Sequence, residues 1–484
     1  MINPTLIQGG MGVAVSSWQL ASRVAALGHL GVVSGTALDV VLARRLQQGD
    51  PAGDLRRALE AFPDQAVAGE VLNRYFVRGG NPSTAAFKNI PMFAAHPAPR
   101  LEALATVAGF AEVFLAKEAH GGLVGINFLE KVQLPTPAIL YGALLAGVDY
   151  VLVGAGIPRD FPALLDSLTQ HQPGRLPLHV TGAVPDDNFA LTFDPSRIIR
   201  TDGRPPLRRP RFLAIVASAT LAVSLARHGG RVDGFVVEGP AAGGHSAPPR
   251  GPQKLNEAGE PLYGARDSVD LARMREIGLP FWLAGACATP DGIATARAQG
   301  AAGIQVGTLF AFCDESGIES SLRARVLDQV RAGGARVFTD PLASPTGFPF
   351  KVVQVEGTLS EPAVYAARER RCDLGYLREL YRREDGTIGY RCGGEPVEDY
   401  LRKGGDLADT VGRKCICNGL LGTIGLGQQR GDETEPAILT AGAGLAEVAA
   451  LLDGRASYTA ADVVNYLTNQ SYRANETEAS GVEN

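Results

Sequence analysis

The chain has 484 residues, 45% hydrophobic and 7% aromatic, with acidic and basic residues interspersed at a formal net charge of -5. This is globular composition, enough for one large domain with extensions or about two to three ordinary ones, and it offers no basic field to hold nucleic acid or an anionic membrane. No apolar run approaches the ~20 residues of a membrane span, and the N-terminal MINPTLIQGGMG lacks the basic and apolar regions of a secretion signal. Six cysteines are too few for a disulfide scaffold. These features point to a cytoplasmic protein that acts on a small molecule.

Short apolar runs alternate with helix-like segments. Thr5–Gln8 ends at Gly9-Gly10, a helical pattern covers Ser17–Leu27, and Leu30–Val33 ends at Ser34-Gly35. Val124–Phe128, Tyr150–Val153 and Phe212–Val216 follow, then a helical pattern over Ala219–Arg227 and the run Gly234–Val237. Pro280–Ala284, a helix over Pro290–Gln299 capped by Thr289, and Gly303–Val306 complete the series. Runs this apolar, bounded by Gly or Ser, read as parallel strands buried on both faces. Eight of them with crossovers predict an α/β fold, a closed (β/α)8 TIM barrel with rim insertions and an α-rich C-terminal extension; an open doubly wound sheet is the alternative.

The barrel is expected over 1–350. Two connections, about 38–122 and 155–211, are too long for simple crossovers and read as rim insertions, suited to a larger substrate or to a homo-oligomer contact. The extension is expected over 351–472, with a subdomain rich in charge, Gly and Cys and a closing helical pair. The polar tail 473–484 reads as disordered.

In such a barrel the active site lies at the C-terminal ends of the strands. Small residues crowd those ends, which lets backbone approach a flat ligand closely. Gly285 and Ala286 after the seventh run, and Gly307 and Thr308 after the eighth, are candidate phosphate-binding loops, the alternative being tight βα turns. The sixth run leads into VVEGPAAGGHSAPPRG, where Gly243 and Gly244 clear space before His245. A histidine there can exchange a proton near neutral pH, so His245 is the candidate catalytic or substrate-contacting residue. Arg250 reads either as an anion site or as a solvated loop cation.

These residues resemble the flavin-dependent nitronate monooxygenases (2-nitropropane dioxygenase-like) and the related flavin enoyl-acyl-carrier-protein reductases. The resemblance lies in Gln8-Gly9-Gly10-Met11, Gly125-Ile126-Asn127, Ala242-Gly243-Gly244-His245 and Gln305-Val306-Gly307-Thr308. It implies an FMN-containing barrel, with Gly10, Met11, Gly12 and Asn127 near the ring, Ser218 at its edge, Gly243 and Gly244 beside it, and Gly285, Ala286, Gly307 and Thr308 at the phosphate. It implies an FMN-dependent oxidoreductase that oxidises a nitronate-like or other acidic C–H substrate with O2, the alternative being an NAD(P)H-dependent enoyl-thioester reductase. No GxGxxG follows any strand, so NAD(P)H, if used, would dock directly over the flavin.

Cys372, Cys392, Cys415 and Cys417 crowd the extension. Four thiolates can close a zinc site or hold an iron–sulfur cluster; the spacing is not that of paired CxxC knuckles, and four reduced thiols are the other reading. Zinc is the metal expected.

Overall fold

The computed structural model describes residues 3–469; the polar tail expected over 473–484 lies outside them. Eight parallel strands close into a barrel: Leu6–Gln8, Leu30–Ser34, Val124–Leu129, Tyr150–Gly154, Arg211–Val216, Gly234–Glu238, Phe281–Ala284 and Gly303–Val306. The first strand pairs with both the second and the eighth, which completes the ring. Each expected apolar run forms one of these strands, and helices lie between them, so the fold is the (β/α)8 barrel.

Both faces of the strands are apolar for different reasons. Ile7, Val32, Leu152, Leu213, Val236 and Trp282 fill the barrel interior as one cluster. Their neighbours, such as Val33, Val151, Phe212, Phe235 and Ile304, face outward into the layer shared with the helices. The alternation is the period of two of an extended strand. Tyr150 and Trp282 are fully buried in the interior, and the Trp282 ring N–H donates to the Pro4 carbonyl at 2.6 Å, which plugs the lower end. No helix of the described residues is long and apolar enough to cross a membrane.

The first insertion is helical. Leu38–Gln47, Asp54–Glu60 and Gln65–Tyr75 precede the long helix Pro99–Lys117, which packs on Thr136–Leu145 as the barrel's own outer layer. The second contains a helix, Phe161–Thr169, and an antiparallel pair, Gly174–Pro177 with Ala190–Phe193. The C-terminal extension is built into the barrel. Its strand Phe350–Val353 spans the expected boundary at 350 and pairs with Val337–Asp340. Its strands Glu379–Arg382 and Ile388–Arg391 are joined by Val180–Thr181 of the second insertion. Its last helices, Leu445–Leu452 and Ala460–Thr468, pack on barrel helices that include Trp18–Ala26 and Ser320–Arg331.

Cys372, Cys392, Cys415 and Cys417 come together around one cavity of about 10 Å³. The zinc expected there is not supported: among the described residues, no group of three or more His, Cys, Asp or Glu side chains is disposed to hold a metal ion. The neighbouring Cys392 thiol and burial push the Cys372 thiol up, and burial does the same to Cys415 and Cys417.

Two outcomes follow from this packing. All six cysteines are free, so titration of denatured, unreduced protein with a thiol reagent is expected to find six thiols, and metal analysis well under a tenth of an equivalent of zinc or iron; stoichiometric metal would contradict it. A Cβ on Gly142 would fall 1.9 Å from the Thr106 carbonyl oxygen of the long helix. Gly142→Ala is therefore expected to cost about 3 kcal/mol in denaturant unfolding, and a change under about 0.5 kcal/mol would show that the helix pair can separate freely.

Candidate active site

The interior clusters stop short of the barrel's C-terminal end. Two residues beyond the inward Val236, Trp282, Leu213 and Tyr150–Leu152 positions, strand alternation brings Glu238, Ala284, Ile215 and Gly154 to the top inward layer. Asn127 and Gln305 occupy the same level on their strands. The layer is mostly small or uncharged, and above it opens a cavity of about 220 Å³ with a largely apolar wall.

The first-strand loop forms one side. Gln8 is fully buried and works as a clamp: its amide donates to the Gly9 and Val32 carbonyls at 2.6 and 3.2 Å and accepts from the Val32 N–H at 3.0 Å. Ser16 donates to the Gly9 carbonyl and accepts from the Met11 N–H, so the loop is held from within. Gly10, Met11, Gly12 and Asn127 all line the cavity. A Cβ on Gly10 would lie 1.8 Å from Asn127 Oδ1, so only glycine lets the loop meet this side chain. Asn127 Oδ1 and Gln305 Oε1 are both buried without a hydrogen-bond partner. Two orphaned acceptors in one cavity wall call for donors from a ligand.

Gly285, Ala286, Gly307 and Thr308 line the same cavity, as expected. Gly285 and Ala286 have φ of +85° and +57°, a left-handed pair in which alanine is strained. The Thr308 hydroxyl accepts from the Gly442 N–H at 2.9 Å. Gly442 belongs to a segment, Thr440–Gly444, that carries no recognisable motif; only the fold brings it here. Thr440 Oγ1 accepts from the Gly244 N–H at 2.9 Å and the Ala443 N–H donates to Ala241 O at 2.9 Å. A Cβ on Gly243 would meet Gly442 N at 2.7 Å. Both glycines of the AGGH stretch line the cavity, but Gly243 serves chain-to-chain packing as well as ligand space.

His245 also lines the cavity. Its Nε2 shares a hydrogen bond of 2.7 Å with Ser344 Oγ, and its ring lies 4.8 Å from that of Phe350. Its backbone bridges to Phe350, so the first strand of the extension holds the histidine loop in place. Burial, with Lys131 adding to it, pushes the imidazole down to about 4. Charging the imidazole in this enclosure costs solvation, so burial favours its neutral form.

Ser218, expected at the ring's edge, is not among the residues that line the cavity; its Oγ accepts from the Leu221 N–H at 3.1 Å and caps the helix Ala219–His228. Arg250 is also committed to structure, since its guanidinium donates to the carbonyls of Ala217 and Arg266. The extension supplies a further wall of Tyr376, Leu377, Ile416, Cys417 and Leu420. The Tyr376 hydroxyl donates to the buried Asp39 at 2.7 Å, which ties this wall to the first insertion.

No curated protein sequence matches the chain. Among solved structures it is similar to FabK from Thermotoga maritima, at 14% identity over 99% of this chain and 96% of that one, with a TM-score of 0.47. It is similar to a nitroalkane oxidase from Streptomyces ansochromogenes at 16% identity, 98% of each chain and a TM-score of 0.44. A third is the enoyl reductase domain of MlnA from the macrolactin biosynthesis cluster of Bacillus amyloliquefaciens, at 12% identity, 100% and 97% coverage and a TM-score of 0.46. Likenesses this distant carry nothing about function. The family model described as Nitronate monooxygenase matches residues 211–333, the stretch that runs from the fifth strand through the AGGH loop and the loops after the seventh and eighth strands. That match bears out, over residues 211–333, the resemblance to the nitronate monooxygenases read from AGGH and QVGT.

Proposed function

We propose that the cavity holds FMN and that the protein reduces the conjugated double bond of an enoyl thioester, with NAD(P)H as the reductant. The residues present fit that cofactor. Asn127 Oδ1 and Gln305 Oε1 are unpartnered acceptors, suited to the N–H edge of an isoalloxazine ring. The Gly10 approach to Asn127 leaves a thin, side-chain-free wall beside a planar group. No Lys or Arg lines the cavity, so the phosphate would be held by the backbone N–H groups around Gly285, Ala286, Gly307 and Thr308. The bound flavin supplies the two-electron transfer.

The observation that carries the choice of reaction is the state of His245. Held down to about 4, the imidazole is a poor base for removing a proton from carbon at neutral pH. As a neutral ring it keeps one N–H. In the tautomer in which Ser344 Oγ donates to Nε2, that N–H is on Nδ1, which has no hydrogen-bond partner among the described residues and is available to a substrate oxygen. A preorganised neutral donor beside an apolar wall suits a thioester carbonyl on which negative charge builds during reduction. The wall of Leu377, Ile416 and Leu420 suits an acyl chain.

Oxidation of a nitronate with O2 is the second reading. Lys131, whose charge helps to keep His245 unprotonated, would favour a preformed anion there, and the matched segment is described by that activity.

Anaerobic stopped-flow absorbance separates the two. The expected result is bleaching of the flavin by NAD(P)H and recovery of its colour on adding an enoyl thioester. Bleaching by a nitronate but not by NAD(P)H would establish the second reading instead. Removal of the histidine donor, His245→Ala, is expected to lower kcat by about 10²-fold, whereas His245→Gln, which retains an N–H, should recover part of it. As His245 is uncharged above about 4, it should put no break in the kcat/KM profile between pH 5.5 and 7.5; one near the ordinary histidine value of about 6.5 that vanishes in His245→Gln would contradict a neutral donor.

A further inference from the structure

The top inward layer of the barrel contains one ionisable side chain. Val236 points into the barrel with Ile7 and Trp282; Glu238, two residues on and last in its strand, faces the same way. It pairs in register with Ala284, and its level is otherwise filled by Asn127, Gly154, Ile215 and Gln305, none of them charged. Glu238 lines the main cavity, and it also lines a second cavity of about 40 Å³. A space of that size admits water. Ser246 lines this smaller cavity too; it is 4% exposed and its Oγ has no hydrogen-bond partner. Glu238 itself has neither a hydrogen bond nor an ion pair among the described residues.

The charges around it are few. Lys351, buried in the strand Phe350–Val353 with its Nζ donating to Thr339 Oγ1 at 3.2 Å, is the cation that acts on Glu238, and Glu260 draws on the same lysine. Burial outweighs Lys351 and pushes the Glu238 carboxyl up to about 7. Several other titratable groups line the two cavities. His245 is neutral. Burial keeps Tyr263, Tyr376, Cys287 and Cys417 protonated. Asp267 is held ionised by the N–H groups of Gly264 and Arg250, and Arg250 is tied to backbone carbonyls. Glu447 is the other carboxyl of the main cavity.

We propose that Glu238 hands the proton to the bound substrate, and that the smaller cavity beside Ser246 and Tyr263 is the route by which it regains one from solvent. This rests on reading the main cavity as a flavin reductase site. In that reaction Cβ of the enoyl thioester gains a hydride, and the electron pair of the double bond moves to Cα and the carbonyl oxygen, where His245 donates a hydrogen bond. The Glu238 O–H bond breaks, Cα takes the proton, and the carboxylate is reprotonated by water. NAD(P)H supplies the two electrons and solvent the proton. Histidine and glutamate thus divide the work: one orients and stabilises, the other titrates in the range where a proton donor is effective.

Two measurements on the flavin-loaded enzyme test this. In infrared difference titration, wild type minus Glu238→Gln, a carboxylic acid C=O band is expected at pH 6 that disappears with a midpoint near 7; its absence at pH 6 overturns the proposal whatever the substrate is. In turnover with an enoyl thioester, Glu238→Gln is expected to lower kcat by about 10²-fold with KM little changed, and to abolish a pH break near 7 that Glu238→Asp retains. A Glu238→Gln enzyme that keeps both the break and kcat within threefold of wild type overturns the role of Glu238 while leaving the reductase reading intact. A wild type that NAD(P)H does not bleach overturns the reductase reading, and with it the step assigned to Glu238.

Discussion

Everything in this molecule depends on how eight parallel strands fill the ring they close. A barrel interior admits a limited set of inward side chains, layer by layer. Here the bulky ones, Tyr150 and Trp282 among them, are spent at the lower and middle levels. What remains for the top level is Gly154, Ala284, Ile215, Asn127, Gln305 and Glu238. With no aromatic at that level, and only Gly154 and Ala284 on two of its strands, the ring's mouth is not closed, so the same strands that make a solid core below leave a cavity above it.

The second dependence is between that cavity and the C-terminal extension. The AGGH loop has little side-chain bulk with which to hold its own shape. It is fixed from two sides, by the Phe350–Val353 strand, which bridges to His245, and by Thr440–Gly444, which bonds Gly244, Ala241 and Thr308. The extension also supplies an apolar wall and, through Tyr376 and Asp39, joins it to the first insertion. The extension therefore shapes the site as well as covering it.

A single electrostatic condition runs through the site. With no Lys or Arg in its lining, the cavity is governed by desolvation. The same burial moves His245 down, Glu238 up and the nearby thiols up, in each case toward the uncharged form. Histidine, the usual choice for proton exchange near pH 7, is thereby removed from that range, and a carboxylate is brought into it. The cysteine cavity obeys the same condition at Cys415 and Cys417, whose thiols burial pushes up.

The sequence by itself determined the barrel, because apolar runs bounded by Gly or Ser are a local signal that period-two burial imposes on every parallel strand. It also indicated which loops line the cavity, since glycine at Gly10, Gly243 and Gly285 is required by close approach of other atoms or by a left-handed backbone and can be read without knowing the partner. Only the tertiary structure decided the rest. Ser218, read as lying at the ring's edge, caps a helix; burial pushes His245, read as the catalytic or substrate-contacting residue, toward its neutral form; Glu238, two strand positions beyond an inward valine, had no motif to mark it. Thr440–Gly444 reaches the AGGH loop across 196 residues of chain. The physical reason is common to all four: burial, and the pKa and partner that come with it, are properties of what the chain brings alongside a residue, and neither composition nor spacing encodes that.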